Sequence, residues 1–193
     1  MMSKRILIFF PLIAILCYFF SALYSTYQLH KGIYYNDKNL MREYVEWGQL
    51  RENFKNYLNI KLLEETQKDK NFKDLGGLGV LITGFASKIV DNILDTYVNS
   101  EGLSMLIEKN EKVKKLPKPS FETFIGVIKI MEFTSHNSFK INYVIDKKEI
   151  SFLFQRKGID WKIIQIEFPD DIFEDFKNSN LNKIKNSFKD KIN

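Results

Sequence analysis

The chain has 193 residues, 45% hydrophobic and 27% charged, with a net charge of +5; this is the composition of a folding domain, not of a disordered, collagenous or coiled-coil chain. A single cysteine excludes an intramolecular disulfide, a CxxC redox pair and a thiolate zinc cluster. Two histidines, His30 and His136, leave little material for a histidine metal site, and no catalytic signature occurs, so no cofactor, metal or enzymatic activity is expected.

The first element is apolar. Lys4 and Arg5 precede Ile6 to Tyr24, 19 residues without a charge. At about 1.5 Å per residue, a helix of this length spans roughly 28 Å, close to the ~30 Å hydrocarbon core of a bilayer. Pro11 is acceptable in such a helix. A cleaved signal peptide needs small residues at −3 and −1, and Phe20 is too large beside Ala22. A lipoprotein needs a small residue before its cysteine, and Leu16 precedes Cys17. An uncleaved signal anchor over residues 1–24 fits best. Lys4 and Arg5, the uncharged flank Ser25 to Leu29 and the long domain that follows place the N-terminus in the cytoplasm. The domain is then periplasmic or extracytoplasmic, tethered by a single pass through the inner (cell) membrane. Tyr18, Tyr24 and Tyr27 fall near the outer headgroups, where amphipathic rings are favoured.

Residues 25–109 read as a helical half. Asp37 is an expected helix N-cap, because its carboxylate can accept free N–H groups of the first turn. Leu40, Tyr44, Trp47, Leu50, Phe54 and Tyr57 recur at helical spacing and predict one continuous face, with a bend at Gly48 as the variant. Tyr44 and Trp47 are core packing or, alternatively, a ligand-stacking wall. The charged run from Glu64 to Asp74 predicts a loop. Leu75 to Ser87 is 13 uncharged residues containing four glycines; it lacks the lysine and Ser/Thr of a nucleotide loop and is too short to cross a bilayer. Lys88, Asp91, Asn92 and Asp95 make a polar stripe opposite Ile82, Phe85, Ile89, Ile93 and Tyr97, which predicts an amphipathic helix with a core face. Ser100 and Glu101 start another helix, carrying Leu103, Leu106 and Ile107 inward.

The basic linker, residues 110–120 with Lys109 at its entry, reads as a solvated connection stiffened by Pro117 and Pro119. No aromatics interleave its lysines, so no nucleic-acid partner is expected. Over residues 121–193 the period changes to two. Phe121 to Phe133 is an apolar run read as the first strand. Ser135 to Ser138 and Lys157 to Asp160 carry turn chemistry, and Asp146 to Glu149 can turn the chain. Ile141, Tyr143 and Ile145, then Ile150, Phe152 and Phe154, then Ile164, Ile166 and Phe168 form one apolar face, ended by Pro169. Asp170 to Phe176 and Leu181 to Ile192 predict short terminal helices. Helices followed by a four-stranded antiparallel meander imply an α+β fold, with the helical cluster packed on one face of the sheet. Its cone-like architecture is similar to nuclear-transport-factor-like and cystatin-like domains, a likeness that carries no activity.

Two separated blocks point to a family. The first is Leu23-Tyr24-Ser25-Thr26-Tyr27-Gln28-Leu29 with Asp37, Leu40, Tyr44-Val45-Glu46 and Leu50-Arg51. The second is Val98-Asn99-Ser100-Glu101-Gly102-Leu103. In order, over Leu23 to Ile107, they resemble a bacterial family of membrane-anchored proteins, the domain of unknown function 2939. That resemblance implies a bacterial envelope protein and transfers no catalytic residue. Glu46, Arg51 and Glu101 are the polar members of these blocks. They are expected to form an ion pair that fixes how the helices meet, of the kind that costs about 3–5 kcal/mol to break when buried. The alternative is a charged anchor in a ligand pocket.

The expected role is a tethered, non-catalytic binding or interaction module whose candidate residues are Tyr44, Trp47, Arg51, Glu46 and Glu101, with a hydrophobic ligand or a protein partner. The alternatives are a lipid-handling factor using Leu75 to Ser87 and a carboxylate hydrolase in a conical pocket.

Overall fold

A computed structural model describes residues 4–68, 88, 90–92, 94–109, 116–145 and 148–167. The first element, α1 (Lys4–Tyr34), is a single helix of 31 residues with Pro11 inside it. It runs through the boundary expected between residues 24 and 25. It ends where Asn36 takes a left-handed conformation at φ 54°, which asparagine tolerates better than most residues. The chain then reverses and Asp37 N–H donates to the Gly32 carbonyl at 2.8 Å. As expected, Asp37 caps α2 (Lys38–Tyr44), its carboxylate accepting from the N–H groups of Asn39 at 2.9 Å and Leu40 at 3.3 Å. The helices α1 and α2 meet at Gly32, where a Cβ would stand 3.0 Å from the Leu40 Cβ and 3.2 Å from the Met41 nitrogen.

The face expected to run unbroken from Leu40 to Tyr57 is divided. Val45 is extended and bridges Ile163 in parallel, and Glu46 N–H donates to the Ile163 carbonyl at 2.9 Å. A β-branched residue favours that backbone, and the excursion covers the outer edge of a sheet that would otherwise be unpaired. Helix α3 (Trp47–Lys68) then restarts the helical period. Gly48 lies in its first turn, and the break between the two helices falls before it, at Val45 and Glu46. Residues 64–68, expected in a loop, are its last turn.

Residues 90–92 and 94–97 are helical, and α4 (Ser100–Lys109) follows. As expected, α4 starts at Ser100, and Asn99 caps it, its side-chain oxygen accepting from Gly102 N–H at 2.7 Å. Gly102 has no room for a side chain, since a Cβ would lie 2.3 Å from the Thr96 carbonyl oxygen. On α4 Ile107 is buried, whereas Leu106, expected inside, is exposed.

The run from Phe121 to Phe133 is not one strand. Ser120 and Thr123 form a capping box, Ser120 N–H donating to Thr123 Oγ1 at 2.8 Å and Thr123 N–H to Ser120 Oγ at 3.3 Å. This box starts α5 (Phe121–Gly126), which passes into a 3-10 turn at Val127–Ile130. Strand β1 (Met131–Ser135) begins only then and pairs with β2 (Ser138–Ile145), β3 (Lys148–Lys157) and β4 (Asp160–Glu167) in the expected antiparallel order β1-β2-β3-β4. Residues 136–137 and 158–159 are the turns of the first and third hairpins, the latter with Gly158 at φ 70°. Leu75 to Ser87, most of the basic linker, Phe168, Pro169 and the two expected terminal helices lie outside the described residues.

The main core fills the space between the sheet and α1, α2 and the start of α3. It contains Ala22, Leu29, Tyr44, Val45, Leu50, Phe139, Ile141, Phe154, Trp161 and Ile163. Phe139 stacks on Phe154 with ring centroids 4.7 Å apart, and Trp161 packs on Phe139 at 5.2 Å. The apolar alternation expected for β4 is out of phase at its start. The pairing passes from Leu153↔Gln165 to Phe154↔Ile163, so Ile164 is an extra residue in a bulge, and Trp161 and Ile163 take the core side. A second cluster joins Leu58 of α3 to Val90 and Leu94, flanked by Phe54, Tyr57 and Val98. Tyr97, expected on that buried face, is exposed.

Candidate functional site

The candidate residues gather where α2 gives way to α3 and beside the start of α4, but not as one constellation. Tyr44 ends α2 and is buried in the main core, with Trp47 packed against the same cluster. Tyr44 is fully part of this core, whereas Trp47 is half-buried at its margin. Burial pushes the Tyr44 phenol up to about 12, with the Glu43 and Asp160 carboxylates adding to the shift. Among the described residues, neither Trp47 Nε1 nor Arg51 Nε has a hydrogen-bond partner.

Glu46, Arg51 and Glu101 do not pair with one another. Glu46 faces Lys162 of β4 at 4.0 Å. Arg51 donates to the Val98 carbonyl at 3.2 Å and lies 3.6 Å from Asp95. Glu101 meets Arg42 at 2.7 Å and accepts from Ser100 Oγ at 2.8 Å. The Ser100 hydroxyl, then Glu101's own backbone N–H and, more weakly, the Arg42 guanidinium hold the Glu101 carboxyl below the usual carboxylate range.

The missing partners form a ladder. Lys55 pairs with Asp91 at 2.5 Å, Arg51 with Asp95 and Arg42 with Glu101. The cations ascend α2 and α3 while the anions descend the other side, as two antiparallel elements require. Lys55 and Arg51 lie four apart, and so do Asp91 and Asp95, so each pair of charges occupies one helix face. That equal spacing of opposite charge was the available signal. The pairs are accessible, so each stabilises by only about 0.2–1 kcal/mol.

The other candidate site is α1 itself. The segment Phe9–Tyr35 is long and apolar enough to cross a membrane. Its first part is bare: Phe10 is 79% exposed, and Phe9, Leu12, Ile13, Leu16 and Phe20 are all exposed. Its later part is core. Trp161 Nε1–H donates to Ser21 Oγ at 2.9 Å and Trp161 N–H to Ser25 Oγ at 3.1 Å. The Tyr18 ring packs on Trp161 at 5.3 Å, and its hydroxyl donates to the His136 carbonyl. His136 lies in the exposed turn expected for it, and the His30 ring packs edge-on near Tyr34 at 6.5 Å. Leu75 to Ser87, the proposed lipid-handling segment, lies outside the described residues.

No curated protein and no solved structure matches the chain. Residues 12–106 match the model of a family described as Protein of unknown function (DUF2939), the family that the two sequence blocks resemble. The match starts inside the bare part of α1, ends in α4 and leaves out the sheet.

Proposed function

We propose that the chain is a membrane-tethered, non-catalytic binding module, anchored through α1 with its N-terminus in the cytoplasm and its domain on the extracytoplasmic side of the cell membrane. The observation that carries this reading is the bare apolar half of a helix whose other half is core. Large aliphatic and aromatic side chains this exposed are favoured in hydrocarbon and unfavourable in water. Cleavage after Ala22 would strip Tyr18 and Ser21 from Trp161, which supports an anchor that is kept. Aromatic side chains fill the space between sheet and helices, which favours a protein partner docked on the surface over a ligand held in a cone. The acids Asp91, Asp95 and Glu101 each face a cation, as structural carboxylates do.

The test is fractionation of full-length protein. Wild type is expected to stay with membranes through an alkaline carbonate wash, while Phe10→Asp combined with Ile13→Asp is expected to release it. Wild-type protein in the soluble fraction would overturn the reading. Digestion of the domain by protease added to intact spheroplasts tests the orientation, and a sheltered domain would reverse it.

A further inference from the structure

The length of α1 does not match the length of helix left free. Between the charges of Lys4 and Arg5 and the first contact with the sheet at Tyr18 lie 12 uncharged residues, Ile6 to Cys17. They span about 18 Å as a helix, well short of the ~30 Å hydrocarbon core. Within the remaining uncharged stretch, Tyr18 to Tyr24, it is Tyr18, Phe19, Ser21 and Ala22 that meet the sheet, while Phe20 and Tyr24 stay exposed. A spanning α1 therefore brings the end of the sheet down to the bilayer surface.

That end is built from two hairpin tips. The β1–β2 tip meets α1 through the His136 carbonyl and the Tyr18 hydroxyl. The β3–β4 tip meets the same residue through Arg156, whose guanidinium carbon lies 5.4 Å from the Tyr18 ring centroid. The Arg156 backbone N–H donates to the Asn137 carbonyl at 2.9 Å, which joins the two tips. At the front of the β3–β4 tip stands Ile159, 78% exposed. A turn position of this exposure is ordinarily polar, and nothing in the fold of the described residues covers this isoleucine. Arg156 and Lys157 beside it are exposed cations, the charge that an anionic headgroup layer attracts.

We infer that these tips are a membrane-docking surface: Ile159 inserts at the headgroup level of the same bilayer that α1 enters, with Arg156 and Lys157 among the headgroups. The inference rests on the reading of α1 as the anchor. It makes the domain a rigidly seated body rather than a globule on a leash, because the helix that crosses the lipid is continuous with the helix that packs on the sheet. A partner would then meet this domain at a fixed height and orientation above the lipid.

The test is the depth of single spin labels on the full chain in phosphatidylcholine–phosphatidylglycerol vesicles. With Cys17→Ser removing the native thiol, cysteines are placed one at a time at Phe10, Ile159 and Glu149. Glu149 is exposed at the opposite end of the sheet. The label at Phe10 is expected deep in the acyl region. The label at Ile159 is expected to lose accessibility to a water-soluble nickel chelate relative to Glu149. Equal accessibility at Ile159 and Glu149 with Phe10 still deep would overturn the docking surface and leave the anchor standing. A fully aqueous label at Phe10 would overturn both.

Discussion

From Phe9 to Phe20 the side chains of α1 stand mostly bare, whereas from Ala22 onward the same helix is core, with Ala22 fully enclosed and Ser25 and Leu29 nearly so. The first stretch carries large aliphatic and aromatic groups. The second sets small residues on one side: Ala22, Ser25 and Gly32 let the sheet and α2 approach the helix backbone, and Leu29 fills the gap between them. Ser25 and, just before this stretch, Ser21 also supply acceptors that a hydrocarbon neighbour could not use, and both are taken by Trp161. With α1 as the proposed anchor, one helix addresses two solvents. The difference lies in side-chain size and hydrogen-bonding groups, not in helical propensity.

Breaking the protein half of α1 should leave the lipid half intact. Trp161→Ala empties the centre of the main core and is expected to cost about 3–5 kcal/mol in denaturant unfolding of the detergent-solubilised chain, with membrane retention unchanged. Loss of retention would show that the two halves do not act separately.

The next effect is a pH dependence in the same core. The Tyr44 phenol is raised in the fold to about 12 from its ordinary 10. The folded state thus holds its proton more tightly than the unfolded chain. This contribution to stability is complete below pH 10 and is lost as pH rises through about 12, up to about 2–3 kcal/mol. Tyr44→Phe should flatten that part of the stability curve, and identical slopes for the two proteins would remove Tyr44 from the account.

Ser25→Ala sharpens the comparison at a single atom. It removes the acceptor of the buried Trp161 N–H and should cost about 1–3 kcal/mol. A change of Ser25 without effect would mean that the polar stripe of α1 is incidental. The smallest effect belongs far from α1: Lys55→Ala, at an accessible pair of the ladder, should cost less than about 1 kcal/mol and less still in high salt.

Much of the architecture was legible, for local reasons. Nineteen uncharged residues, the Asp37 cap and the turn residues around His136 and Gly158 each act over a few positions. The failures are places where distant chain intervened. Val45 leaves the helix because the edge of β4 offers its backbone a partner more than a hundred residues away. Ile164 bulges because β3 and β4 change register there. The apolar run at Phe121 starts as a helix because Ser120 and Thr123 cap each other, a local signal hidden by the hydrophobicity that follows. At the candidate site, Glu46, Arg51 and Glu101 were visible as charges, but their partners Lys162, Asp95 and Arg42 were set by packing. The continuity of α1 was obscured because its apolar run changes surroundings without a break in composition.

The most direct test of the central claim, that one helix is both membrane anchor and domain core, is the intact mass of the protein recovered from washed cell membranes. The account predicts a species that retains Tyr18 and Ser21, since both contact Trp161 in the folded domain. A folded, soluble species that begins after Ala22 would contradict it.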